Sequence, residues 1–372
     1  MSAVLFFSVS LLAGGSDPLN TGLVVHEWGT FTSIAGSDGN AADWLPLGGS
    51  SDLPCFVYHF REPAYKGGLR ATVRMETPVL YFYSPQETNV SVKVDFPGGQ
   101  ITEWYPFAAQ SFAAGRIEWP AVKVVPGVSD RLSPDDRSSH YYAARNTSAN
   151  AIEVSNAGQA QQEKFLFYRG IANFQPALSV QLSGNQVILK DRTQERPIVV
   201  ILFENRHGRI GYRVAIGPQS ILERPNLTGD IGSLHDMLEK ALIGGGLFPE
   251  EARAMLQTWN DSWFEEGTRI IYLLPRPVVD SILPLSIQPN PTKIERVFVG
   301  RIEIITPEIE NEVAEAAHRY DRTTLAKYGR FLEPILRRLP QGDASVQNAL
   351  AFAYSAQSQR STKDACTASP SK

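Results

Sequence analysis

The sequence predicts an α+β fold, an antiparallel β-sandwich-like N-terminal part followed by a mixed α/β C-terminal part that ends in a long helix. Three observations predict it. Short β-branched and aromatic runs separated by Gly, Pro and Asn turns fill the chain to about residue 229. After Thr228 the hydrophobic spacing becomes helical, with capping and stop residues in place. The 372 residues are 43% hydrophobic and 20% charged, which supplies a full core and exceeds the length that one core usually serves.

The elements follow in order. Val4 to Ala13 is an apolar run ending in Gly14-Gly15-Ser16, the pattern of a secretory signal peptide over residues 1–15, although no Lys or Arg precedes Arg61. A β-rich, sandwich-like domain is expected over 22–229. Its strands include Val79 to Tyr83, Val90 to Phe96 and Gln100 to Trp104. The second of these alternates strictly, Val90, Val92, Val94 and Phe96 against Ser91, Lys93 and Asp95, which marks one buried and one wet face. Hairpins are expected at 177–190 around Ser183-Gly184-Asn185, and at 197–216 around Glu204 to Gly208. Residues 127–162 read as long loops.

From 230 to 340 a helical and strand part is expected to pack on the first. Asp230 caps a helix carrying Leu234, Met237, Leu238, Ala241 and Leu242, closed by Gly244-Gly245-Gly246. Pro249, Glu250 and Glu251 open a second helix of about five turns, with Gly267 as its stop. Strands over 269–274 and 296–305 precede a long helix from Pro307, acidic at its start, basic at its end and broken near Pro334. Residues 357–372 read as a disordered polar tail.

The second helix breaks a rule at its end. Asp261, Glu265 and Glu266 crowd the turns where unpaired carbonyls disfavour anions, and Asp261 and Glu265 would face each other four residues apart. The leading expectation is ion pairing with Arg269, Arg276 or Arg301, and the sharper one is a catalytic or metal role with His26 or His140 nearby. Trp259 and Trp263 share a stripe with Leu256 and read as core. His26 and Glu27 are adjacent in a strand, so they point to opposite faces and cannot form one site. His140, Tyr141, Tyr142 and Arg145 suit sugar or carboxylate binding as well as an aromatic clamp. Arg74 with Glu76, and Glu163 with Arg169, read as ion pairs in apolar strands.

Several classes of chemistry lack their motifs. No phosphate-binding loop, His-Glu-x-x-His or Gly-x-Ser-x-Gly elbow occurs, so no nucleotide cofactor is expected and no metal site is assigned. Asp38 to Asp43 offers oxygen ligands, but Gly49 stands where a closing carboxylate would be needed. A net charge of −4 with a pI near 5.9 gives no footprint for nucleic acid. No stretch of the mature chain is expected to span a membrane. With only Cys55 and Cys366 there is no disulfide framework, and Cys55 reads as a buried thiol in an apolar segment.

Val25-His-Glu-Trp-Gly-Thr-Phe-Thr32, Met75-Glu-Thr-Pro-Val79, Glu163 to Arg169 and Thr258-Trp-Asn-Asp-Ser-Trp-Phe-Glu-Glu-Gly267 resemble the signature segments of an uncharacterised family of exported bacterial proteins. The resemblance spans about residues 23–307 and implies a periplasmic or secreted setting, with no activity to transfer. Two classes of function follow. One is a ligand-binding or interaction protein of the cell envelope, with an envelope protein or a glycan as partner. The other is a carboxylate- or metal-dependent hydrolase acting on glycans or peptides through Asp261, Glu265 and Glu266.

Overall fold

The computed structural model describes residues 22–47, 53–60, 69–111, 115–127, 132–133, 139–156, 158–195, 197, 199–216 and 220–363. The segment read as a signal peptide lies outside them. Strands dominate. The N-terminal part supplies β1 (Val24–Ala35), β2 (Tyr58–His59), β3 (Val73–Tyr83), β4 (Thr88–Asp95), β5 (Gly99–Tyr105) and β6 (Ala109–Ser111). Then come β7 (Arg116–Val125), β8 (Ala151–Asn156), β9 (Gln159–Glu163), β10 (Leu166–Ala172), β11 (Leu178–Ser183) and β12 (Gln186–Asp191). The hairpin β13 (Val199–Arg206) and β14 (Arg209–Ile216) precedes β15 (Ile221–Glu223), α1 (Ile231–Gly244) and α2 (Pro249–Trp263). The chain closes with β16 (Gly267–Leu273), α3 (Arg276–Ile282), β17 (Leu285–Gln288) and β18 (Lys293–Ile304). After these come α4 (Pro307–His318), α5 (Arg322–Lys327), α6 (Leu332–Arg338) and α7 (Ala344–Lys363).

A nine-stranded sheet in the order β14-β13-β16-β18-β1-β3-β10-β5-β2 forms the middle of the molecule. Its strands are antiparallel except for β1 and β18, which run parallel from Val24↔Lys293 to Ala35↔Ile304. β16 and β18 therefore lie inside the same sheet as the N-terminal strands, so residue 229 does not divide two sheets. β1, β3 and β18 are buried along nearly their whole length because both faces of the sheet are covered. On one face, the nine-stranded sheet shares a core with the six-stranded sheet around β4 and β7 and with the three-stranded sheet β11-β12-β15. Val90, Val92 and Val94 of β4 point into this core, while Ser91, Lys93 and Asp95 are partly exposed. On the other face α1, α2 and the 3-10 turn His140–Arg145 bury Leu234, Leu238, Met255, Trp259, Trp263 and Tyr141 against Trp28, Phe167 and Phe203. A third cluster joins α4 to α7 with Trp44 and with Ile34 and Ile305 at the ends of β1 and β18.

Five expectations need correction. The stretch 127–162, read as long loops, holds the 3-10 turn His140–Arg145, β8 and most of β9. The helix expected from Pro307 to Arg338 is divided at Tyr320, which adopts φ 53°, and at the 3-10 turn Gly329–Phe331. Pro334 is not the break. It sits in the first turn of α6, where a missing N–H costs no helical bond. The tail expected from 357 falls partly on α7, whose backbone is helical to Lys363. Cys55 is exposed, in a turn rather than a strand, and is disulfide-bonded. Among the described residues no helix is long and apolar enough to cross a membrane.

Candidate functional site

α2 connects the two groups of candidate residues. At its start Glu251 is fully buried, and one of its carboxylate oxygens accepts the N–H of Phe248 at 2.7 Å. The same oxygen lies 2.8 Å from His26 Nδ1, and the other accepts the Tyr83 hydroxyl at 2.8 Å. Burial and the Glu251 charge push the Tyr83 phenol far up, so it acts as a donor. His26 is thereby fixed to the N-terminus of α2. A 15-residue helix is about 22 Å long, so His26 cannot meet Asp261 or Glu265 at the other end. Glu27 points to the opposite face, where it accepts the Tyr168 hydroxyl and the Arg296 Nε, each at 2.5 Å.

At the far end the helix stops at Trp263, about a turn before the Gly267 stop read from sequence. The fully buried Arg269 explains the stop. Its guanidinium donates to the carbonyls of Trp263 at 3.0 Å, Glu265 at 2.6 Å and Glu266 at 2.8 Å, and pairs with Glu303 at 2.9 Å. A cation from the adjoining strand thus satisfies the carbonyls that would otherwise repel nearby acids. The chain then turns at Gly267, φ 128°, where an added Cβ would sit 2.5 Å from Glu303 Oε1.

The three acids diverge. Glu265 lies outside the helix and pairs with Arg301 at 2.6 Å. Burial raises its carboxyl, but Arg301, Arg330 and Arg269 outweigh that and hold it below its ordinary value. Glu266 pairs with Lys327 at 2.7 Å, and Lys327 also holds Glu312 at 3.0 Å. Asp261, exposed, pairs with His140 at 2.9 Å. Arg276, the third expected partner, pairs instead with Asp280. His207, Glu266 and Glu312 bring donor atoms within 4.8 Å of one another, yet the Lys327 ammonium already bridges the two carboxylates there. The cavity beside Glu265 and Glu266 measures about 10 Å³, room for one water and not for a sugar ring.

A belt of buried charge continues from this point across the sheet. Arg301 donates to Ser262 Oγ at 2.9 Å and to Glu303 at 3.0 Å. Arg330, from the turn before α6, reaches Ser262 Oγ at 3.3 Å and pairs with Glu76 of β3. Glu76 also accepts the Thr32 hydroxyl at 2.8 Å and lies 3.4 Å from Arg74. Burial opposes its ionisation, but Arg330, Arg74 and Arg301 together lower its pKa to about 2. Thr77 follows in a left-handed conformation, φ 48°, rare for a β-branched residue, and its Oγ1 accepts the Arg169 Nε at 3.2 Å. The expected pairing of Arg74 with Glu76 is present, whereas Glu163 pairs with Arg145 at 2.7 Å. Arg330 and Lys327 carry no local signal in sequence, since their partners come from elements far along the chain.

The residues proposed for binding are internal. Tyr141 is 2% exposed and donates to Glu163 at 3.0 Å, while Arg145 lies over the Tyr142 ring at 4.8 Å. They form the aromatic clamp, not an open surface.

No protein-family model matches the chain, and no curated protein matches it. Among solved structures it is similar to the Mu homology domain of Fcho1 from Danio rerio, determined with a bound peptide. That match has 8% identity over 76% of this chain and 96% of the other, with a TM-score of 0.28. It is also similar to the yeast delta-COP-I mu-homology domain, at 8% identity over 78% of this chain and 100% of that one, with a TM-score of 0.31. Superpositions this loose assign neither a family nor a function to the chain.

Proposed function

We propose that this chain is a binding or interaction protein of the bacterial cell envelope, using its sheets as a sandwich-like scaffold. The observation that carries the reading is the Arg301 to Glu265 contact at 2.6 Å. With Glu266 held by Lys327 and Asp261 by His140, the acids that would perform hydrolysis are each spent on a different partner. Glycoside chemistry needs two carboxyls about 5 to 10 Å apart across a space that admits a sugar, and the cavity described beside Glu265 and Glu266 has no such room. The export part of the reading is supported by the apolar N-terminal run, the resemblance of the four segments, and an exposed disulfide-bonded Cys55, which suits an oxidising compartment.

The alternative, a metal-dependent hydrolase acting on glycans or peptides, has the His207, Glu266 and Glu312 donors in its favour. Metal analysis of the purified protein separates the two readings, alongside the Asp261→Asn and Glu265→Gln variants. The binding reading expects no stoichiometric metal in any of the three, with stability lost in Glu265→Gln only. Stoichiometric zinc or another divalent ion in the parent protein overturns it.

A further inference from the structure

The nine-stranded sheet ends at β14, which pairs with β13 on one side only. The hairpin closes at Arg206↔Arg209 through His207 and Gly208, both at positive φ. In an antiparallel ladder closed by a two-residue turn, alternate residues aim their N–H and C=O away from the partner. Here these are Ile210, Tyr212, Val214 and Ile216. The Ile210 carbonyl confirms the phase, since it accepts the N–H of Gly229 at 2.8 Å from outside the sheet. Residues 225–229 cover the start of the strand in this way, with an added Cβ on Gly211 meeting Asn226 O at 2.3 Å. Among the described residues no further strand pairs with β14 from Tyr212 to Ile216.

This open stretch differs from most edges in what it displays. Val214 is 37% exposed and Ile216 73%, and Ile221 of the neighbouring β15 is 51% exposed. Edge strands are ordinarily shortened, bulged, covered, charged or interrupted by proline, and among the described residues from Tyr212 to Ile216 the exposed charge of Arg213 is the one such device. On the opposite face of β14, Arg209 and Arg213 are exposed and neither forms an ion pair among the described residues. Four residues apart on a strand, they stand about 14 Å from each other on that face. At the sheet's other end β2 is only two residues long and offers no comparable edge.

We propose that the β14 edge, from Tyr212 to Ile216, takes up an extended segment of a partner protein in which apolar and acidic residues alternate, adding it as one more strand. Main-chain bonds would hold the segment, its apolar side chains would cover Val214 and Ile216, and an acid would face Arg213. A second copy of this chain fits less well, because it would bring further arginines to a face whose acid, Glu204, is already held by Arg206 and Arg224. The inference rests on the interaction reading above and names its surface and partner class.

The test uses the full chain and a fluorescently labelled peptide alternating valine and glutamate, with a valine and lysine peptide as control. Anisotropy should show binding of the glutamate peptide. Val214→Pro should weaken it by about tenfold or more, since it removes an outward N–H while leaving the bonds to β13 intact. Arg213→Glu should reverse the preference toward the lysine peptide. Ile216→Glu, at an exposed position, gives the same test should the proline variant not fold. Binding unchanged in Val214→Pro and Ile216→Glu, or absent for both peptides, overturns the edge site and leaves the interaction reading standing. A dimer that Val214→Pro dissolves overturns the peptide as occupant. Cleavage of the peptide, read by mass spectrometry, overturns the interaction reading itself.

Discussion

The two ends of α2 solve opposite problems. At its N-terminus an anion is welcome, and a single buried carboxylate, Glu251, gathers the Phe248 N–H, His26 and Tyr83. At its C-terminus anions are unwelcome, yet Asp261, Glu265 and Glu266 crowd there, and Arg269 and Arg301 from the sheet supply the positive charge. Only the second end breaks a local rule, and its compensation comes from β16 and β18. A broken helix-dipole rule thus locates where tertiary charge arrives, which need not be where a reaction occurs.

The comparison can be broken first at Arg269. Arg269→Met removes one of the two arginines on Glu303 and leaves three carbonyls without their donor, and should cost about 3 to 5 kcal/mol in urea unfolding. A loss below about 1 kcal/mol would show that water serves that end equally well. Glu251→Ala at the opposite end should cost less, about 1 to 3 kcal/mol, if it only leaves buried donors without a partner. A loss as large as that at Arg269 would erase the contrast between the two ends.

Acid sharpens the contrast further. The Glu76 pKa is about 2 in the folded chain, below its ordinary value of 4.5, and Glu265 is also lowered. Each therefore contributes stability that is complete above about pH 4.5 and lost as pH falls through the folded value. The urea midpoint should drop between pH 4.5 and about 2, and Glu76→Gln should flatten that drop while lowering stability at pH 7. A midpoint unchanged over that range would sink the assignment. The smallest effect belongs to Asp261→Asn, whose exposed pair with His140 should be worth under about 1 kcal/mol by the same titration.

Much of this was legible in the residues themselves. The alternation of β4, the start of α1 at Asp230 and the start of α2 at Pro249 follow from local spacing and capping. What escaped depends on distant partners. The end of α2 was placed a turn late because Arg269's guanidinium substitutes for the next turn of helix. The breaks after α4 and α5 escaped because Tyr320 and Gly329 adopt positive φ within an otherwise helix-like pattern. Arg301 could be named as a partner of Glu265 and His140 as a neighbour of the acids, while Lys327 and Arg330 could not, since no spacing rule relates them to the acids they meet. The order of the sheet escaped for the same reason.

The parallel pairing of β1 with β18 also has a consequence for how the protein is made. Glu27 and Arg296 meet across 269 residues of sequence. At about 5 to 20 residues per second, one flank of β1 therefore waits tens of seconds after its own synthesis for the strand that covers it. β3 can cover the other flank early, but the centre of the sheet closes only when nearly all of the polypeptide exists. The apolar residues along the β18 flank of β1 therefore stay uncovered until β18 has been made.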